Sequence, residues 1–144
     1  LLGKGILKNG KAVILGKGES LINFISVANL AKLILIVLED NETHNKIIEI
    51  GGPDNISKNE VAALYGTLIN KPVKLTHLSS GFLNLMSKII RPFHSGIARV
   101  LFLSAYFDNT DQSFDSSNIQ QKYPLQLTSI KEFVKSKRPN TSTL

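Results

Sequence analysis

The 144-residue sequence contains no cysteine. This absence excludes disulfide bonds, thiolate catalysis and cysteine metal sites. It agrees with a reducing compartment, and we expect the chain to be cytoplasmic.

The sequence also lacks a membrane span and a secretory signal. Its most apolar window covers residues 21–38, but polar residues interrupt it: Asn23, Ser26, Asn29 and Lys32. A span needs about 20 mostly apolar residues. The first residues carry lysines without a continuous apolar run between them and a cleavage site. Leu1 is not a methionine and the chain opens in mid-pattern, which favours a piece of a longer protein.

Several catalytic patterns are missing. Gly16-Lys17-Gly18 has neither the Walker spacing nor the Gly-x-Gly-x-x-Gly spacing of a dinucleotide turn, so it is interpreted as a loop. No Gly-x-Ser-x-Gly elbow is present. Tyr65 has Ile69 four residues later, where a Tyr-x-x-x-Lys pair requires lysine. We therefore predict no catalytic residue in this chain.

Metal ligation is not indicated either. The three histidines, His44, His77 and His94, share no ligand spacing. The aspartates at 108, 111 and 115 faintly resemble a calcium loop, but its glycine and glutamate positions are not filled. We predict no metal site.

The composition is that of a globular domain. The chain is 42% hydrophobic and long enough to bury a core. Lys and Arg number 17 against 11 Asp and Glu, a formal charge of +6, but these charges are scattered apart from a small cluster at Lys135, Lys137 and Arg138. A scattered excess is typical of a solvated surface, and no nucleic-acid partner is expected.

Periodicity predicts alternating strands and helices. Strands are expected at 12–15, 21–27, 46–50 and 72–76, and helices at 28–39, 80–90 and 97–107. Ser57 and Glu60 have the spacing of a capping box, so a helix follows Ser57. Thr128 or Ser129 begins a closing helix, residues 108–124 are irregular, and a disordered tail follows Arg138. On the 80–90 helix the apolar residues lie on one face: Phe82, Leu85, Met86 and Ile89.

A polar turn between two apolar helices is one candidate binding element. Arg91, His94 and Arg99 bracket the segment Pro-Phe-His-Ser-Gly. Such a turn can present donors to an anionic or carbonyl-bearing ligand at a cleft. The alternative is a helix–helix connection whose arginines face solvent or surface acids.

The order of the motifs resembles one family. The segment Asn23 to Ala31 is similar to the Phe-Ile-x-Val-x-Asp-Leu-Ala segment of extended and atypical short-chain dehydrogenases. Ile48 to Asp54, with the capped helix after it, resembles their late strand and helix. The Pro-Phe-His turn and the closing segment 127–133 are similar to the NmrA-like, sugar-epimerase-like branch. Asn29 stands where the family usually has aspartate.

The resemblance implies an α/β fold that is the C-terminal part of a Rossmann-type fold. It would comprise the last sheet strands and a helical substrate-side subdomain at residues 1–138, without the N-terminal dinucleotide-binding half. The parent protein would be an NAD(P)-dependent oxidoreductase or epimerase-like enzyme, whereas this chain alone would bind no cofactor and be inactive. Its partners would be a small-molecule substrate and an N-terminal Rossmann half. The substrate-binding candidates are Asn23, Phe24, His94 and Arg99.

Two other functions remain open at this point. NmrA-like proteins can be non-catalytic dinucleotide sensors or assembly factors. The chain could also be a small stand-alone α/β binding domain.

Overall fold

Helices and short strands follow one another up to residue 78, and the described residues beyond it form four helices and the segments between them. The computed structural model describes residues 2–137, and within this range the fold is α/β. The elements are α1 (Leu2–Asn9), β1 (Lys11–Leu15), β2 (Leu21–Asn23), α2 (Val27–Glu39), β3 (Asn55–Ser57), α3 (Lys58–Ile69), β4 (Lys74–Leu78), α4 (Ser80–Ile90), α5 (Ser95–Phe107), α6 (Ser117–Lys122) and α7 (Ile130–Ser136). The predicted disordered tail lies outside the described residues.

Two small sheets form in the described range. β1 and β4 are parallel, with Lys11 opposite Lys74 and Leu15 opposite Leu78. β2 and β3 are antiparallel. One face of the parallel pair is buried in a core formed with α1, α3 and α7: Ile6, Ala12, Ala62, Tyr65 and Val134. Val13, on the other face, is 57% exposed. The sheet is therefore covered on one face only, whereas parallel sheets are ordinarily covered on both.

Helix α1 was not predicted, because it contains Gly3 and Gly5 and glycine has a low helix propensity. A Cβ at Gly3 would lie 2.5 Å from the Tyr65 ring, and one at Gly5 would lie 2.8 Å from the Lys11 carbonyl oxygen. The two glycines therefore let α1 approach α3 and β1 closely. Packing outweighs the low helix propensity of glycine here.

The predicted strand at 46–50 is wrong. These residues have no regular structure, and Ile47 is 95% exposed. A strand needs a hydrogen-bonding neighbour, and among residues 2–137 none pairs with this segment. Ile48 and Ile50 instead contact a second small core, built on Leu33, Ile119 and Tyr123. β3 and α6 were missed, because each is very short.

Local capping signals were more reliable. The Ser57–Glu60 capping box forms at the start of α3, and Ser129 with Glu132 makes a second one at α7. β1, β2, α2, α4 and α5 lie where strands and helices were predicted, and β4 begins two residues later. No helix in the described range is long and apolar enough to cross a bilayer.

Candidate functional site

The candidate site is the hairpin of α4 and α5, joined by the turn at 91–94. Its buried residues are mostly small: Ser87 on α4, and Ala98 and Ala105 on α5, together with Leu83. Small side chains allow two helices to approach closely. The apolar face of α4 that the sequence indicates is not its buried face, since Phe82, Leu85 and Ile89 are each about half exposed. The close approach to α5 selects the Leu83 and Ser87 face instead.

A cleft of about 780 Å³ lies between these helices. Lys88 and Arg91 line it from the α4 side, and Arg99 and Phe102 line it from α5. Ala98 and Ser87, both buried, also belong to the lining. The spacings 88–91 and 99–102 place each pair on one side of its helix. The cleft therefore has cationic rims and an apolar contribution from Phe102 and Ala98.

The charge around this cleft has a single sign. Between Glu60 and Asp108 the sequence contains neither aspartate nor glutamate. Among residues 2–137, those that line the cleft include three cations and no carboxylate. Charges of one sign gathered in a cleft raise the local concentration of the opposite ion.

The first turn of α5 adds to this polarity. His94 is its N-cap residue, but its side chain makes no capping hydrogen bond. Ser95, the first residue of α5, lines the cleft. The backbone N–H groups of a first helical turn carry partial positive charge. His94 is exposed and stands beside the cleft at the start of α5, and Arg99 lines the cleft itself.

The base of the hairpin is built around Asp108, directly after α5. Its carboxylate accepts hydrogen bonds from the N–H of Lys17 at 2.8 Å and of Gly18 at 3.0 Å. The Ser80 hydroxyl donates to it at 2.8 Å, and the Ser20 hydroxyl donates to its backbone carbonyl. Asp108 is only 5% exposed. It thereby joins the start of α4 and the end of α5 to the loop after β1.

Ionisation of Asp108 is favoured in spite of its burial. Burial is the strongest single influence and opposes the charge. The hydrogen bonds from Gly18, Lys17 and Ser80, with the positive charge of Lys58, outweigh it and lower the pKa of Asp108 below its ordinary value.

The Gly16-Lys17-Gly18 loop is thus an anion-binding loop whose anion is part of the chain. Gly16 and Gly18 have φ of 94° and 73°, which favours glycine. A Cβ on Gly16 would overlap the Asp108 carboxylate. The sequence reading as a plain loop missed this contact, because nothing local to the loop indicates an aspartate some ninety residues away.

Asn23, one of the predicted substrate ligands, lies at the end of β2 and makes many contacts within the chain. Its amide oxygen accepts from the Gly52 N–H at 2.6 Å. Its amide nitrogen donates to Asn55 Oδ1 at 2.9 Å and to the Gly52 carbonyl at 3.1 Å. The half-buried Phe24 follows, with its carbonyl against Gly52. The pair Asn23 and Phe24 thus sits on a different element from His94 and Arg99.

The hydrogen bonds of Asn29 explain why an asparagine stands where the family that the sequence resembles usually has aspartate. It is 3% exposed, its Nδ2 donates to the Gln126 carbonyl at 2.9 Å, and its Oδ1 accepts from the Thr128 N–H at 2.9 Å. An amide can donate and accept at once, which a carboxylate cannot. The side chain therefore joins α2 to the segment before α7.

Among the described residues, no group of three or more histidine, aspartate and glutamate side chains is arranged to hold a metal ion.

Comparison with known proteins shows the fold. Neither protein-family models nor curated protein sequences match the chain. Solved structures do, and the following are three of them. An NADPH-dependent quinone oxidoreductase from Escherichia coli, in complex with NADPH, is 22% identical with a TM-score of 0.71, over 93% of this chain and 47% of that one. A nucleoside-diphosphate-sugar epimerase from Staphylococcus aureus is 16% identical with a TM-score of 0.71, over 92% and 46%. An isoflavone reductase is 20% identical with a TM-score of 0.63, over 92% and 49%.

The chain therefore spans about half the length of the structures it matches. Its fold is a partial Rossmann-like α/β fold, as the resemblance to NmrA-like and extended short-chain dehydrogenases predicts.

Proposed function

We propose that the chain is the C-terminal, substrate-side part of an NAD(P)-dependent reductase or epimerase-like protein. The observation that carries this proposal is the match of nearly the whole chain to half of an NADPH-dependent oxidoreductase and half of a sugar-nucleotide epimerase. The cofactor would be held by the other half, because the glycine loop of this chain is occupied by its own Asp108.

The open face of the parallel β1–β4 sheet supports a missing partner half, since Val13 is exposed there. Parallel sheets are ordinarily covered on both faces. An N-terminal Rossmann half would cover this face.

His94 and Arg99 are the proposed substrate contacts. They stand at the start of α5, where Arg99 lines the cleft between the helices. Asn23 and Phe24 complete the proposed set, but Asn23 would act mainly by shaping the loop around Gly52, since its amide already contacts that loop.

The coding sequence immediately before Leu1 gives the first test. A glycine-rich dinucleotide turn in frame there supports the proposal, and its absence overturns the assignment of a cofactor. The chain alone and the upstream-extended protein would then be titrated with NADPH, following nucleotide fluorescence. We expect binding only by the extended protein.

Val13→Glu sharpens this test. Val13 is exposed in the 144-residue chain, so its replacement should leave the unfolding of that chain nearly unchanged. In the extended protein a glutamate on that face would be buried in the contact between the halves, and NADPH binding should fall. Equal behaviour of wild type and variant in the extended protein would contradict the proposed packing.

A protein-binding role is the second candidate, and a specific surface favours it. Several apolar residues of the hairpin that are not among the lining residues of the cleft are exposed: Phe82, Leu85, Ile89, Ile97 and Val100. Exposed apolar patches mark interaction surfaces. This non-catalytic role would be favoured if the extended protein binds NADPH but does not oxidise it when quinone or carbonyl substrates are added.

A further inference from the structure

We infer that the cleft between α4 and α5 binds a small organic anion: a carboxylate or phosphate monoester attached to an apolar, preferably aromatic, body. The assignment of this cleft as a substrate subsite rests on the proposed function. Anion binding by the 144-residue chain does not rest on it, because such binding needs neither NAD(P) nor a second half.

The first argument is the sign of the charge. Lys88, Arg91 and Arg99 line one cleft from two different helices, and no carboxylate in the described part of the chain lines it. The nearest acids in sequence are Glu60 and Asp108. Glu60 accepts hydrogen bonds from Ser57 in the capping box, and Asp108 is held by the loop after β1. Both are therefore already engaged elsewhere.

The second argument is the position of each cation. Lys88 lies in the last turn of α4 and Arg91 is its C-cap residue, and the helix dipole alone accounts for cations there. Arg99 is different, since it lies in the first half of α5, where the dipole gives a cation no stabilisation. Its placement opposite the other two is explained by an anion shared among them.

The third argument concerns the apolar part of the ligand. Phe102 lines the cleft from α5, one turn after Arg99, and the buried Ala98 leaves room beside it. A volume of about 780 Å³ fits a small molecule. Inorganic phosphate would use the cations but leave Phe102 without a contact, so an anion with an apolar body fits better.

The experiment uses phenyl phosphate as the probe, with inorganic phosphate and phenol as comparison ligands. Each is titrated into the ¹⁵N-labelled 144-residue chain, and amide chemical shifts are followed. Phenyl phosphate should bind more tightly than either comparison ligand and shift the amides of Ser95, Ala98 and Arg99. Shifts spread over the surface, or equal binding of the three compounds, would overturn the inference.

Two variants locate the contributions of charge and of the ring. Arg99→Gln should weaken phenyl phosphate binding about tenfold, the effect of one charge-assisted hydrogen bond. Phe102→Ala should remove the preference over inorganic phosphate. Both residues are exposed, so the variants should fold, and an unchanged amide spectrum away from the cleft checks this.

Lys32→Gln on α2 is the matched control, because it removes the same charge from an exposed lysine on another helix. It should leave binding unchanged. Equal weakening by Arg99→Gln and Lys32→Gln would mean that only the net charge of +6 attracts the probe, and would overturn the site. Binding of phenyl phosphate in the cleft without NADPH binding by the upstream-extended protein would overturn the proposed function but keep the site.

Discussion

The α4–α5 hairpin has charged residues at its base, around Asp108, and near its connecting turn, and these two groups of charges differ in their partners. At its base the carboxylate of Asp108 is buried and receives hydrogen bonds from Lys17, Gly18 and Ser80. Toward the connecting turn, Lys88, Arg91 and Arg99 line a cleft to which the described residues contribute no carboxylate. A charge that is fully engaged inside the chain stabilises the fold, whereas cations with no carboxylate among the described residues of their cleft are available to a ligand. The predictions below separate these two roles.

Removal of the carboxylate at the base should have the largest effect. Asp108→Ala leaves three donors without their acceptor, two of them backbone N–H groups. We expect a loss of about 3 kcal/mol in the free energy of unfolding, measured by urea denaturation. The exposed Asp111 is the control, and Asp111→Ala should change stability by no more than about 0.5 kcal/mol. Similar losses for the two variants would contradict the structural role of Asp108.

The same contact can be disrupted from the loop. Gly16→Ala places a Cβ at a φ of 94° and against the Asp108 carboxylate, and should cost about 2 kcal/mol. The matched control is Gly81→Ala in the first turn of α4, where a Cβ meets nothing within 4 Å. It should raise stability by about 0.5 kcal/mol. A gain of stability for Gly16→Ala would show that the loop does not depend on glycine.

Asn29→Asp tests whether a buried group can lose its donor. A carboxylate would face the Gln126 carbonyl without a proton to donate, and at pH 7 we expect a loss of about 2 kcal/mol. The exposed Asn118 is the control, and Asn118→Asp should be nearly neutral. Thermal unfolding of both variants gives the comparison. If the two variants unfold alike, Asn29 does not join α2 to the segment before α7.

The pH dependence of stability should contain a contribution from Asp108. Its pKa is lowered in the folded chain, so its contribution is complete above the unfolded value and is lost as pH falls through the folded pKa. The difference in unfolding free energy between wild type and Asp108→Asn should therefore be constant near neutral pH and shrink below about pH 4. A difference that stays constant to pH 2.5 would contradict a lowered pKa.

Features determined by residues close together in the sequence could be predicted, whereas features determined by contacts between distant residues could not. Ser57 and Glu60 are three residues apart, and their capping box was predicted correctly. Helix α1 was not predicted, because the close packing that favours Gly3 in it involves Tyr65, on another helix. Residues 46–50 have the composition of a strand, but pairing requires a neighbour that the described range does not provide.

The candidate site divides in the same way. The cationic turn was recognised from Arg91, His94 and Arg99, because those residues are close in sequence. The inward face of α4 and the role of Asp108 could not be read locally: the first depends on packing against α5, and the second on a loop some ninety residues earlier. The substrate roles of Asn23, Phe24, His94 and Arg99 stay predictions.

The smallest effect on stability is expected in the cleft. Arg99→Gln removes a cation that has no carboxylate among the lining residues, so the free energy of unfolding should change by less than about 0.5 kcal/mol. At low salt the change should be a slight gain, because Lys88 and Arg91 repel Arg99, and it should vanish at about 0.5 M salt as the repulsion is screened. Lys32→Gln, measured in parallel, accounts for the general effect of lowering the net charge. A loss above about 1 kcal/mol for Arg99→Gln would mean that Arg99 stabilises the fold as Asp108 does, and the contrast between the two ends of the hairpin would fail.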